Sequence, residues 1–184
     1  MGTAVIIHAP IGGGKTSTAS AVAEMAKSKG LRVLGILSKR VMTGNPHASY
    51  MINDLASGEV WPLVVPQEDS PGEGWETHGN PVYSFSVIGF KRANAVLYRA
   101  VEQMGPSSII FVDEFGRLES GGEGIYPGAL ASASAIVRGG TVVFLCRTER
   151  VEEVKRLLDG KAGKILVFVA GDPQSVYDVI QTWL

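Results

Sequence analysis

Cysteine is almost missing from this 184-residue chain. Its one thiol, Cys146, cannot close an internal disulfide, so nothing calls for an oxidising compartment. Charge is scarce as well: 19% of residues carry it, and 17 basic against 18 acidic side chains leave a formal net charge of −1. That balance argues against a protein that holds nucleic acid through bulk positive charge. Long apolar runs are also lacking. The longest, near residues 141–146 and 165–170, have the length of strands and cannot span a bilayer. No basic stretch precedes the first apolar run, as a signal peptide would require. Met1-Gly2 is followed by Ile6 where a myristoylation sequence wants Ser or Thr. The 45% of hydrophobic residues suffices for a core and excludes disorder. The expectation is a soluble, cytoplasmic protein of one domain, residues 1–184, with no membrane partner.

Glycine is what the chain has in excess, with 23 residues. They punctuate alternating blocks. Short β-branched runs near residues 4–9, 33–37, 109–112, 141–146 and 165–169 read as buried strands. Between them lie segments with helical character: Lys15–Ser28, stopped by Gly30; Phe85–Met104, with Phe90, Ala93, Leu97, Val101 and Met104 on one stripe; Pro127–Arg138; Arg150–Leu158; and Pro173–Trp183. This alternation predicts an α/β fold in three layers, a mainly parallel five-stranded sheet with helices on both faces. Residues 40–81 break the pattern and read as an irregular insertion. Tyr50–Asn53 and Val60–Val65 make a short hairpin there, and Pro66–Pro81, with three prolines, makes a loop.

The first strand runs into Ala9-Pro10-Ile11-Gly12-Gly13-Gly14-Lys15-Thr16, close to the G-x-x-x-x-G-K-[ST] phosphate loop, or Walker A motif. A triphosphate needs several donors converging on its oxygens. A glycine loop supplies them from the backbone, and the helix behind it points its positive end at the same anion. Lys15 is placed to reach the β- and γ-phosphates, Thr16 to ligate Mg²⁺, and Ser17 to touch the α-phosphate. Ala9 stands where a first glycine is usual, which is tolerable if it ends the strand with extended backbone.

The strand at 109–112 ends in Asp113-Glu114, the form of a Walker B motif. A carboxylate at a strand tip can hold Mg²⁺, and an adjacent Glu can orient or deprotonate an attacking water. Asp113 is therefore the candidate metal residue and Glu114, with Lys15, the candidate catalytic one. The long separation between Lys15 and Asp113 leaves room for another strand between the two motif strands. Arg147, after the run at 141–146, and Arg117, just past Glu114, are weaker candidates for stabilising charge on the γ-phosphate.

The run Asp113-Glu114-Phe115-Gly116-Arg117-Leu118-Glu119, downstream of that loop, resembles the P-loop nucleoside triphosphatases that include the cancer-related nucleoside triphosphatases. Gly35-Ile36, Tyr83 and Phe90 match further features of the group. Ser38-Lys39-Arg40 and Pro173-Gln174 stand where the family has an acidic pair with Arg, and Asn-Arg. The resemblance implies a slow Mg²⁺-dependent hydrolase that cleaves the γ-phosphate of ATP, GTP and other nucleoside triphosphates with low base selectivity. Two alternatives stay open at this point: a small P-loop kinase taking its acceptor in the 40–81 segment, and a nucleotide-dependent binding module that hydrolyses only with a protein partner.

Overall fold

The computed structural model describes residues 2–42, 44 and 46–182. In chain order it contains β1 (Thr3–Ala9), α1 (Lys15–Ser28), β2 (Arg32–Val41), β3 (Ser49–Asp54), β4 (Val60–Pro66), β5 (Trp75–Glu76), β6 (Tyr83–Ser86) and α2 (Val87–Glu102). Then follow β7 (Ser108–Phe115), α3 (Arg117–Ser120), α4 (Tyr126–Ala135), β8 (Thr141–Arg147), α5 (Val151–Leu158), β9 (Lys164–Val169) and α6 (Pro173–Gln181). The last helix was expected to reach Trp183, which lies outside the described residues.

Among the described residues nine strands form one sheet in the order β5-β6-β4-β3-β2-β7-β8-β1-β9. The five-stranded expectation is therefore corrected to nine. Strands β2, β7, β8, β1 and β9 pair in parallel; the expected hairpin is present as β3 and β4, and with β5 and with β6, which lies just past the 40–81 segment, it extends the sheet antiparallel on one side. The physical reason is the open edge of β2. Its backbone groups beyond β7 need partners, and the hairpin of β3 and β4 supplies them from Val41↔Ser49 to Ile36↔Asp54. A second correction concerns β9, expected to be buried. It is the edge strand beyond β1, and Val169 is 67% exposed.

The central strands are apolar on both sides because both faces are covered. Val5, Ile7, Phe111 and Val143 face a core shared with Val22 and Ala26 of α1 and Val176 and Ile180 of α6. Ala4, Ile6, Ile110 and Phe144 face the opposite core, with Leu97 of α2, Ala129 of α4 and Val154 of α5. Alternation along each strand divides its side chains between the two. Gly35 in β2 has a φ of +91°, and a Cβ there would run into the backbone of Phe111 on β7, so glycine allows these strands to close up.

This topology places the chemistry. Parallel strands end on the same side, so the carboxyl ends of β1, β8, β7 and β2 form one ledge. Ala9 pairs with Arg147 across β1 and β8, and Ile36 with Val112 across β2 and β7. β8 lies between β1 and β7, the intervening strand that the spacing allowed for.

Candidate functional site

At the end of β1 the chain turns through Pro10–Gly14, all exposed, before α1 begins. Gly12 and Gly14 have φ values of +73° and +80°, and a Cβ on Gly13 would sit 2.6 Å from that of Ala9. The loop can curl this tightly only with glycine at those places. Ala9 is the last residue of β1, the strand-end place that tolerates alanine instead of glycine, and it is buried there. No side chain caps α1 and its first turn holds no acid, so the positive end of the helix is left unmet by any side chain of that turn. The Lys15 ammonium donates to the carbonyls of Ala9 at 3.4 Å and Pro10 at 3.2 Å, over the same loop. Ser17 is exposed on the first turn.

Asp113 links the loop to the neighbouring strands. It is 3% exposed, and Thr16 Oγ1 and the Ser38 N–H both donate to its Oδ2 at 2.9 Å. Its Oδ1 accepts the Glu114 N–H at 2.8 Å. Burial, then the Glu114 carboxylate, pushes the Asp113 carboxyl upward, while these three donors pull it back. Thr16 and Asp113 thus bring two hard oxygens together. Among the described residues no group of three or more His, Cys, Asp or Glu is arranged to hold a metal. A cation fitted here takes most of its oxygens from water and phosphate, the habit of Mg²⁺.

Glu114 is half-buried and has a φ of +76°, a left-handed conformation seldom adopted outside glycine. It sits where the β7–β8 register shifts between Val112 and Phe115. The bulge turns its side chain out of the strand's alternation.

Sequence reasoning named Glu119 only as part of a motif, yet it organises the turn after Glu114. Its carboxylate is 3% exposed and accepts N–H groups from Gly116 at 2.9 Å and Ile125 at 3.0 Å. Burial pushes it up to about 7. A Cβ on Gly124 would collide with Glu119 Oε1, so glycine completes its seat. The Gly116-x-x-Glu119 spacing was the available signal, since an acid three residues into a helix can bond back to its start. Ser38, Lys39 and Arg40 likewise stand out in the sequence only as a departure from the family. Their place after an apolar strand predicts the carboxyl ledge, and all three line the site cavity.

That cavity has a volume of about 710 Å³ and runs from the glycine loop past Asp113 and Glu114 to the hairpin strands. Arg147 and Arg117 line it too. Arg147 is half-exposed at the end of β8, 4.0 Å from Glu149, and Arg117 donates to the His78 carbonyl at 3.1 Å. Cys146 is buried and its thiol is pushed up to about 12 by that burial, which removes it as a nucleophile.

Residues 4–131 match the model of a protein family described as NTPase. The chain belongs to this NTPase family. Over 109 residues it is 29% identical to the nucleoside-triphosphatase THEP1 of Pyrococcus abyssi, a stretch covering 59% of this chain and 55% of that protein, so the match spans about half the relative's length. The fold is similar to the solution structure of a human cancer-related nucleoside triphosphatase, with a TM-score of 0.65 at 22% identity over 99% of this chain and 95% of the other. It is equally similar to the crystal structure of THEP1 from the hyperthermophile Aquifex aeolicus, with a TM-score of 0.65 at 18% identity over 99% and 96%. The family match covers the glycine loop, the Asp113-Glu114 strand end and Glu119, and stops before Arg147. No helix among the described residues is long and apolar enough to cross a membrane.

Proposed function

We propose that this member of the NTPase family hydrolyses the γ-phosphate of ATP, GTP and other nucleoside triphosphates with Mg²⁺, as one cytoplasmic domain of residues 1–184. The observation that carries the reading is the Thr16–Asp113 hydrogen bond, which ties the glycine loop of β1 to the acidic end of β7 across the intervening β8.

In this reading the backbone N–H groups of residues 10–14 and the first turn of α1 receive the phosphates, with Ala9 fixing where the loop leaves the sheet. Lys15 moves its ammonium from the loop carbonyls onto the β- and γ-oxygens, exchanging neutral acceptors for anionic ones. Ser17 reaches the α-phosphate. Thr16 and Asp113 would hold Mg²⁺, which would supply neutralisation of phosphate charge and favour the ionised form of Asp113 that burial opposes. Glu114 accepts the proton of the water that attacks γ-phosphorus, and the diphosphate leaves on the opposite side. Glu119 holds the Gly116 amide and so fixes the turn that aims Glu114. Of the two arginines, Arg147 is better placed to meet developing γ-phosphate charge, because β8 lies between the loop strand and the acidic strand.

Backbone donors read phosphate rather than base, and the chain holds no Asn-Lys-x-Asp-type guanine reader. Discrimination among purine triphosphates is therefore expected to stay within about tenfold, which takes only about 1.4 kcal/mol of differential binding. Phosphate release from ATP, GTP, CTP and UTP, with and without Mg²⁺, tests the proposal. A hundredfold purine preference would reveal an unrecognised base contact. No release by the purified chain, with release on adding a protein partner, would favour the binding module.

A further inference from the structure

The site cavity reaches from the glycine loop to the strands beyond β2. Past Glu114 its wall changes from glycine and charge to aromatic rings: Tyr50 of β3, Tyr83 and Phe85 of β6 and Phe90 of α2. All four are half-buried and pack against the core on one side while lining the cavity on the other. Tyr50 and Tyr83 meet edge to face with centroids 6.2 Å apart, and Phe85 and Phe90 lie tilted at 6.4 Å. Lys39 and Arg40, exposed at the end of β2, line the same cavity. The Tyr50 hydroxyl is raised by burial, then by Tyr83 and by the nearby Glu114 carboxylate, so the aromatic wall and the acidic residue share one space.

The direction of the nucleotide decides what this space can hold. If Glu114 positions the attacking water, as proposed above, the γ-phosphate faces it and the leaving diphosphate points away. The nucleoside hangs from the α-phosphate at that far end. It cannot also fill a chamber that lies beyond the γ-phosphate on the attacking side. Aromatic faces are suited to a planar ring, cationic side chains to an anionic group, and a cavity of this volume to a small molecule.

We propose that the chamber walled by Tyr50, Tyr83, Phe85 and Phe90 and flanked by Lys39 and Arg40 binds a second small molecule beside the triphosphate, a planar aromatic anion of the nucleoside monophosphate class. The ring stacks on one of the two tyrosines, which stand edge to face, and the phosphate meets Arg40, which pairs with Tyr50 across β2 and β3 and so shares its face. This inference rests on the hydrolase reading, because that reading sets which way the triphosphate points.

Calorimetry tests it, with the full chain saturated with Mg²⁺ and the β,γ-imido analogue of ATP, and AMP as the titrated probe. The filled glycine loop prevents AMP from binding there. One AMP should bind per chain, with adenosine and ribose 5-phosphate each at least tenfold weaker. Tyr83→Ala and Arg40→Ala should each weaken AMP about tenfold or more, the size of one lost base stack or phosphate contact. Both should keep analogue affinity within twofold, which also reports that they are folded. Analogue binding without AMP binding overturns the second site alone, as does AMP affinity unchanged in both variants. Failure of the analogue itself to bind overturns the hydrolase reading, and this inference with it.

Discussion

The left-handed backbone of Glu114 sets stability against chemistry at one residue. At a φ of +76° a side chain costs about 1–2 kcal/mol, through contact between Cβ and the carbonyl that follows. Glycine escapes that cost, but its greater freedom in the unfolded chain takes back about 0.5–1 kcal/mol. Glu114→Gly must be compared with Glu114→Gln rather than with wild type. Both remove the negative charge beside buried Asp113, so the comparison cancels that relief and leaves the backbone. Glu114→Gly should be the more stable by about 0.5–1 kcal/mol, raising Tm by about 1–4 °C in a chain of this length. Urea unfolding and thermal melts measure the difference. Both variants should bind nucleotide and lose on the order of 10²–10⁴ in kcat, because neither can accept the proton of water. A glycine variant no more stable than the glutamine one would refute the strain argument, and normal hydrolysis by Glu114→Gln would move the water-positioning role elsewhere.

Lys15→Ala should fold, since it gives up only two long bonds to loop carbonyls, and should lose at least about tenfold in triphosphate affinity, the effect of one charge-assisted contact. Undiminished affinity in a folded variant would falsify its phosphate role. Asp113→Asn should raise the Mg²⁺ concentration for half-maximal phosphate release by about tenfold or more while the chain stays folded; an unchanged magnesium curve rules the metal role out. For Glu119, the folded carboxyl at about 7 lies above its ordinary 4.5, so between those values the folded chain keeps a proton that the unfolded chain has released. Stability must then fall as pH rises through that window, by on the order of 3 kcal/mol from this group. Asp113 remains in both proteins when wild type is compared with Glu119→Gln, so the difference isolates Glu119. The variant should gain on wild type as pH rises from 4.5 to 7.5 in urea titrations, and parallel curves would refute the assignment.

Local sequence determined what is local in physics. β-branched runs of four to six residues, punctuated by glycine, announced the five parallel strands, since a strand buried on both faces must be apolar throughout. Three glycines before Lys15-Thr16 announced the loop, because few other residues permit that curl. The α1 limits, Lys15–Ser28, follow from alanine-rich sequence ending near Gly30.

Tertiary structure decided whatever depends on pairing at a distance. In residues 49–86 the sequence marks the hairpin of β3 and β4, but β5, β6 and the pairing of all four strands onto the open edge of β2 are tertiary decisions. The same pairing brings Tyr50, Tyr83 and Phe85 to the site, though no motif joins them to the glycine loop. Ile165–Val169 is as apolar as the central runs, yet strand order put it at the edge. Glu119 is buried because Gly116, Gly124 and Ile125 fold around it; the Gly116-x-x-Glu119 spacing signals the bond to Gly116, but nothing local signals the closure by Gly124 and Ile125. Glu114 could be named from its neighbour Asp113, but its left-handed backbone could not. Nothing in its intrinsic preference favours that conformation, which the bulge between β7 and β8 imposes.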